Sequence, residues 1–176
     1  MSADQAVRLV PSDAAWPQRF EAEREVLLEV LGEHVAGGIH HVGSTAVPGL
    51  SAKPTIDIMA GVVGLEESRV CFEPLAAAEY RYAPYRPDEM HWFCKPDQVR
   101  RTFHLHLVPH DSRRFAATLA FRDALRADPR LAGEYEALKL QLARRFEGDR
   151  EAYTAAKADF ILAASVRAQE QGVKGS

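Results

Sequence analysis

The sequence predicts one α+β domain, with a sheet-containing core over about residues 1–110 and C-terminal helices over about 112–170. Two observations carry this. Short runs of alternating or continuous apolar residues, bounded by glycine and proline turns, fill the first part of the chain. From Ser112 onward the pattern changes to helical spacing throughout, and strands followed by helices is the α+β order. No repeat, low-complexity tract or linker divides the 176 residues, a length that supports one sizeable core.

Taken in order, Ala6–Val10 is a short candidate strand. Ser12 or Asp13 is positioned to cap a first helix, with Pro17 tolerated in its opening turn. Trp16, Phe20, Leu27 and Leu31 recur at helical spacing as its buried stripe, and Gly37-Gly38 is expected to end it. Ile39–Val42 reads as a strand. Thr55–Met59 reads as a second one, running on to Val63 as an apolar segment suited to a central position. Glu66 to about Ala78 is expected to be helical. Tyr80–Tyr85 and His91–Lys95 read as strands around the turn-rich Pro84–Asp88. Pro96-Asp97-Gln98 is a turn before a strand at Thr102–Val108. Asp128-Pro129 starts a long helix whose face is Leu131, Tyr135, Leu138, Leu142 and Phe146, and Gly148 ends it. Asp149 to about Gln169 is read as one last helix, with a frayed tail to Ser176.

Composition narrows the function classes. Hydrophobic residues at 47% and charged residues at 27% are those of a soluble globular protein. A net charge of −3 gives no reason to expect general nucleic-acid or anionic-membrane binding. No stretch approaches a transmembrane length, and the first residues carry no basic, apolar leader, so a cytoplasmic location is expected. Cys71 and Cys94 lie far apart and form no CxxC pair, which fits free buried thiols in a reducing compartment.

The chemistry concentrates between His41 and Met59, HVGSTAVPGLSAKPTIDIM. Gly43 permits a sharp turn and close approach to a ligand, while Ser44 and Thr45 add hydroxyls and amides. Such a turn can hold phosphate if it also opens a helix. On the strand that follows, Ile56 and Ile58 share one face and Thr55, Asp57 and Met59 the other. A carboxylate is thereby presented beside a Gly-Ser turn. Lys53 is placed to reach phosphate, although a proline and a strand follow it, which excludes a P-loop. His104 and His106 lie one apart on a strand and point to one face, where two imidazoles can ligate a metal, bind phosphate or move a proton. His41 stands just before the glycine turn. Between Lys95 and Arg130 the chain is locally basic; Arg101, before the HxH strand, and Arg122, in Phe121-Arg122-Asp123, are the arginines singled out for phosphate.

The long segment HVGSTAVPGLSAKPTID resembles the GrpB family, small proteins assigned to the nucleotidyltransferase fold. Arg101–His106, Phe121–Asp123 and Tyr153–Lys157 also look like that family's pattern, so the resemblance spans nearly the whole chain. It implies a nucleotidyltransferase-like mixed sheet with flanking helices, and a C-terminal helical subdomain walling the cleft. It further implies that Gly43, Ser44 and Thr45 hold the phosphates of a nucleotide or related phosphorylated small molecule, and that Asp57 helps hold a divalent ion. Thr55 departs from the superfamily pattern, because it stands where the first of two strand carboxylates belongs. Magnesium, held as a rule by carboxylates and substrate phosphates, gains little from a neutral hydroxyl.

Three functions follow as expectations. The first is nucleotide binding with nucleotidyl transfer, using Asp57, His104 and His106 as catalytic and metal-holding groups, with Lys53, Arg101 and Arg122 on phosphate. The second is nucleotide binding without catalysis. The third is metal-dependent phosphohydrolysis on the Asp/His/His set, where imidazoles suit Mn²⁺ or Zn²⁺ better than Mg²⁺. Tyr153 and Lys157, an i,i+4 pair, are read as structural.

Overall fold

In the computed structural model, which describes residues 8–97 and 99–174, a five-stranded mixed sheet is flanked by helices on both faces. The strands are β1 (Val35–Val42), β2 (Ile56–Val62), β3 (Arg81–Tyr82), β4 (His91–Pro96) and β5 (Arg101–Pro109), in the spatial order β1-β2-β5-β4-β3. β2 runs parallel to β5 and every other pair is antiparallel. β2 and β5 therefore form the centre. This fits the continuous apolar run from Ile58 to Val62, every residue of which is buried.

The helices are α1 (Trp16–Leu31), α2 (Phe72–Ala77), α3 (Arg113–Ala127), α4 (Pro129–Arg145), α5 (Arg150–Ala155) and α6 (Ala158–Lys174). The buried stripe of α1, Trp16, Phe20, Leu27 and Leu31, packs in the main core with Ile56, Ile58, Leu105 and Leu107 of the central strands. Glu23 lies in that stripe as well, where its carboxylate accepts hydrogen bonds from Lys95 Nζ at 2.8 Å and Tyr80 Oη at 3.0 Å. The opposite face meets α3 through Phe115, which clusters with Val42, Met59, Met90 and Val108. Contact there is tight: a Cβ on Gly61 would lie 2.7 Å from Gly37 Cα and 2.9 Å from Phe115 Cε2. α3, α4 and α6 form a third cluster, Leu125 of α3 and Tyr135 of α4 with Phe160 and Ile161 of α6, against Val47 and Leu50 of the loop after β1.

Several boundaries differ from the sequence reading. The expected strand at Ala6–Val10 lies partly outside the described residues; within them Val10 makes a single bridge to Ala52. Neither Ser12 nor Asp13 is the N-cap of α1: Ala15 holds that position, and Asp13 accepts a bond from its amide. Gly32, not Gly37-Gly38, ends α1 and supplies the positive φ of 52°. The glycine pair instead sits inside β1, where the sheet packs closest to α3. The 66–78 helix is a 3₁₀ turn at Glu67–Cys71 followed by α2, and Tyr80–Tyr85 contracts to two paired residues. α4 stops at Arg145, short of Gly148. The last helix breaks into α5 and α6 around Ala156-Lys157. Gln98 of the 96–98 turn and the tail end at 175–176 lie outside the described residues. No helix among the described residues is long and apolar enough to cross a membrane.

Candidate active site

Parallel pairing of β2 with β5 sets Asp57 opposite His104 and Met59 opposite His106, so the three polar side chains share one face. His104 Nδ1 lies 2.9 Å from Asp57 Oδ1, and His106 Nε2 lies 3.7 Å from the same oxygen. Burial of the Asp57 carboxyl works against its charge, but the hydrogen bond from His104 and the nearby His106 ring outweigh it and hold the group well below the usual carboxylate range. Burial, opposed by Asp57, lowers the pKa of His106. Nε2 of His104 is buried without a hydrogen-bond partner.

Gly43 makes the approach of turn to carboxylate possible. Its φ is 71°, and a Cβ there would lie 2.6 Å from Asp57 Oδ2. Ser44–Ala46 follows as a single 3₁₀ turn rather than the start of a long helix. The turn is fixed from both sides of the sheet. On the α1 side, His41 stacks on Phe20 at 4.8 Å and its Nε2 meets Thr45 Oγ1 at 2.9 Å. Burial lowers the His41 pKa to about 4, so the ring that holds Thr45 is neutral. From α3, Arg122 donates to the His41 carbonyl at 3.2 Å and Arg126 to the Ala46 carbonyl at 2.8 Å. The Ser44 hydroxyl also bonds to Tyr135 of α4.

A cleft of about 880 Å³ opens over this floor. Ser44, Thr45, Lys53, Asp57, Arg101, His104 and His106 all line it, so the structure brings most of the sequence-derived candidates together. Gly43 lies beside Asp57 rather than in the lining. Arg122 is not among the described lining residues either. Its guanidinium bonds the His41 carbonyl and Asp123, so it shapes the turn from behind. Thr55 donates its hydroxyl to the Arg101 carbonyl at 2.9 Å, tying the start of β2 to the start of β5. A carboxylate at position 55 would face that oxygen with no proton to offer.

Sequence reasoning missed part of the cleft wall. Lys139, inside the buried stripe of α4, is 1% exposed, and its Nζ donates to the Ser51 carbonyl. Glu136 accepts from the Ser51 amide at 2.9 Å. Tyr153 carries two ammonium groups on its ring, Lys157 at 4.3 Å and Lys53 at 4.7 Å. Burial lowers both Lys139 and Lys157 to about 8, with their mutual repulsion adding at Lys139 and Asp57 opposing at Lys157. The pair Tyr153/Lys157, read from sequence as structural, therefore belongs to the wall of the cleft. A lysine recurring within an apolar helical stripe is the one sequence signal for Lys139.

The donor set does not suit a pair of hard divalent ions. Among the described residues Asp57 is the one carboxylate on the floor, its Oδ1 is already bonded by His104, and the wall sets three lysines against the single carboxylate of Glu151. Among the described residues, no group of three or more His, Cys, Asp and Glu side chains is arranged to hold a metal ion.

A family model described as GrpB protein matches residues 6–167. Among curated relatives, the UPF0157 protein of Pseudomonas aeruginosa is 39% identical over 164 residues, covering 90% of this chain and 66% of its own length. The crystal structure of conserved protein GrpB from Enterococcus faecalis superposes with a TM-score of 0.84 at 30% identity, covering 93% of this chain and 98% of that one. Cid1 in complex with its short product ApU superposes with a TM-score of 0.52 at 14% identity, over 84% of this chain and 48% of its own, a likeness of fold. The protein belongs to the GrpB family, built on a nucleotidyltransferase-like fold.

Proposed function

We propose that the protein binds a nucleotide or a related phosphorylated small molecule in this cleft. One observation carries the reading: three lysines, Lys53, Lys139 and Lys157, come from separate segments to the wall beside the Gly43–Thr45 turn. For Lys139 the one hydrogen bond seen is to a carbonyl, and Lys157 rests on the Tyr153 ring. Lys139 and Lys157 make no ion pair with a carboxylate among the described residues; burying their ammonium groups in this way is costly, and an oligophosphate would supply the missing charge. Ser44 and Thr45 would add hydroxyl donors at the same end. The floor would then stand under the next part of the ligand. There His104 Nε2, buried and unpartnered and left as an acceptor by the Nδ1–H bond to Asp57, can accept from a substrate hydroxyl.

Binding is favoured over metal-pair nucleotidyl transfer, because the floor holds one carboxylate already engaged by imidazole. Titration calorimetry with tripolyphosphate, AMP and each ribonucleoside triphosphate, with and without Mg²⁺ or Mn²⁺, tests both parts. Triphosphates are expected to bind and to raise the melting temperature without a strict metal requirement. Lys157→Met is expected to weaken them by about 10- to 100-fold, the loss of one charge-assisted contact. Absence of heat and of any melting shift for every compound would remove the reading. Vigorous Mg²⁺-dependent transfer would restore an ordinary transferase.

A further inference from the structure

The phosphate reading uses one end of the cleft and leaves the other unexplained. Across the sheet the order β1-β2-β5-β4-β3 lays out the floor as a sequence. Ser44 follows β1, Asp57 is on β2, His104 and His106 are on β5, Trp92 is on β4, and Ala83–Arg86 follow β3. From β1 to β4 is three strand spacings, about 14 Å. Trp92 pairs in register with His106, so its ring stands on the cleft face beside the two histidines, 5.0 Å from the His104 ring. Phe93, next in the chain, turns to the other face and packs on Phe72. The Arg101 guanidinium lies 5.3 Å over the Trp92 ring, and Arg86 lies 5.6 Å over Tyr85. Tyr85 is 46% exposed although it lines the cleft.

This end has a chemistry unlike the lysine end. It presents two aromatic rings, each with a flat guanidinium beside it (Arg86 also 3.8 Å from the Glu89 carboxylate), and the apolar Ala83, Pro84 and Val99 in the lining. A second phosphate would gain from the arginines alone and would strand the aromatic and apolar surface. A flat heterocycle uses all of it, by stacking on the rings and accepting hydrogen bonds at its edge from the guanidinium groups.

We propose that Trp92 and Tyr85, with Arg101 and Arg86, form a subsite for a planar heterocycle such as a nucleobase. The heterocycle would sit at the β3–β4 end while phosphate sits at the lysines. This rests on the phosphate reading above and adds the ligand's direction: it lies across the strands, with its middle over Asp57, His104 and His106.

The chain contains its own reporter. Of its two tryptophans, Trp16 is 1% exposed in the main core, and Trp92 lines the cleft. Ribonucleoside triphosphates, inorganic tripolyphosphate and phosphate-free nucleosides serve as probes, with tryptophan emission and calorimetry read in parallel. At least one nucleoside triphosphate should quench the emission on binding, while tripolyphosphate binds with little change. Trp92→Phe should keep binding and lose the quench. Trp92→Ala should weaken the triphosphate by about tenfold to a hundredfold and tripolyphosphate by less than twofold. Melting curves of both variants check that they are folded. Equal loss of both probes in Trp92→Ala, or triphosphate binding without quenching, overturns the subsite. Quenching by a nucleoside when no phosphate compound binds would sink the phosphate reading and leave the subsite standing. No binding by any probe overturns both.

Discussion

Lys139 shows how a single residue can work against stability and for a site. It is packed within α4 among apolar neighbours, and burial favours its neutral form. Lys157 is lowered in the same way, also to about 8, against roughly 10.4 in an unfolded chain. Between about pH 8 and 10 the unfolded state therefore binds more protons than the folded one, and stability rises with pH across that window. Anion affinity runs the other way, falling as pH passes about 8 and the ammonium charges are lost. Glu136, on the same helix, and Asp57, on β2, oppose the shifts without cancelling them. Urea unfolding and tripolyphosphate titration at pH 7.5, 8.5 and 9.5 should show the two trends crossing. Lys139→Met should flatten the stability trend and weaken the anion most at pH 7.5, with a shrinking effect toward pH 9.5. A wild-type stability that falls over this range would contradict the assignment of these two lysines.

At the scale of elements, the sheet's two faces have different tasks. One face is core, where α1 seals Ile56, Ile58, Leu105 and Leu107. The other is divided between the α3 contact and the cleft. Gly61 and Gly37 mark the α3 contact, since neither backbone leaves room for a methyl group. Gly61→Ala should cost about 1–3 kcal/mol, because the clash is with backbone and a packed ring rather than a flexible tip. For a chain of this size that lowers the melting temperature by several degrees, measurable by calorimetry. An unchanged melting temperature would mean that α3 can move away freely.

Strand alternation makes the floor legible in the sequence itself. Period two puts Asp57 on one side of β2 and the two histidines on one side of β5, and the parallel register joins them. The wall is less legible. No glycine or proline marks the break between α5 and α6, so 149–169 reads as one helix and Tyr153/Lys157 as a structural i,i+4 pair. A lysine in a helical stripe is indistinguishable by period from one at its edge, which hides Lys139. Arg122 is misplaced by sequence reasoning for a related cause: composition shows that a guanidinium is present, and only tertiary packing shows that it holds the His41 carbonyl.

Across the whole molecule, the ligand is expected to bridge the sheet and the C-terminal helices, which already share polar ties beside the cleft. These include the Tyr135–Ser44 bond and the bonds of Glu136 and Lys139 to Ser51. Hydrogen exchange with and without a nucleoside triphosphate should show protection at the Gly43–Thr45 turn and, together with it, across residues 150–165. Protection confined to the turn would leave the lysine wall out of binding.

The three lysines come from positions 53, 139 and 157, so more than a hundred residues separate the first from the last. During synthesis the chain emerges in that order. A nascent chain carrying only the sheet would already hold Asp57, His104 and His106 without the charges of Lys139 and Lys157 above them. On the proposed reading, the full set of three lysines comes together only after the segment containing the α5–α6 break has been made and docked. Ligand capture would then report a finished molecule, and a stalled or clipped one would be passed over.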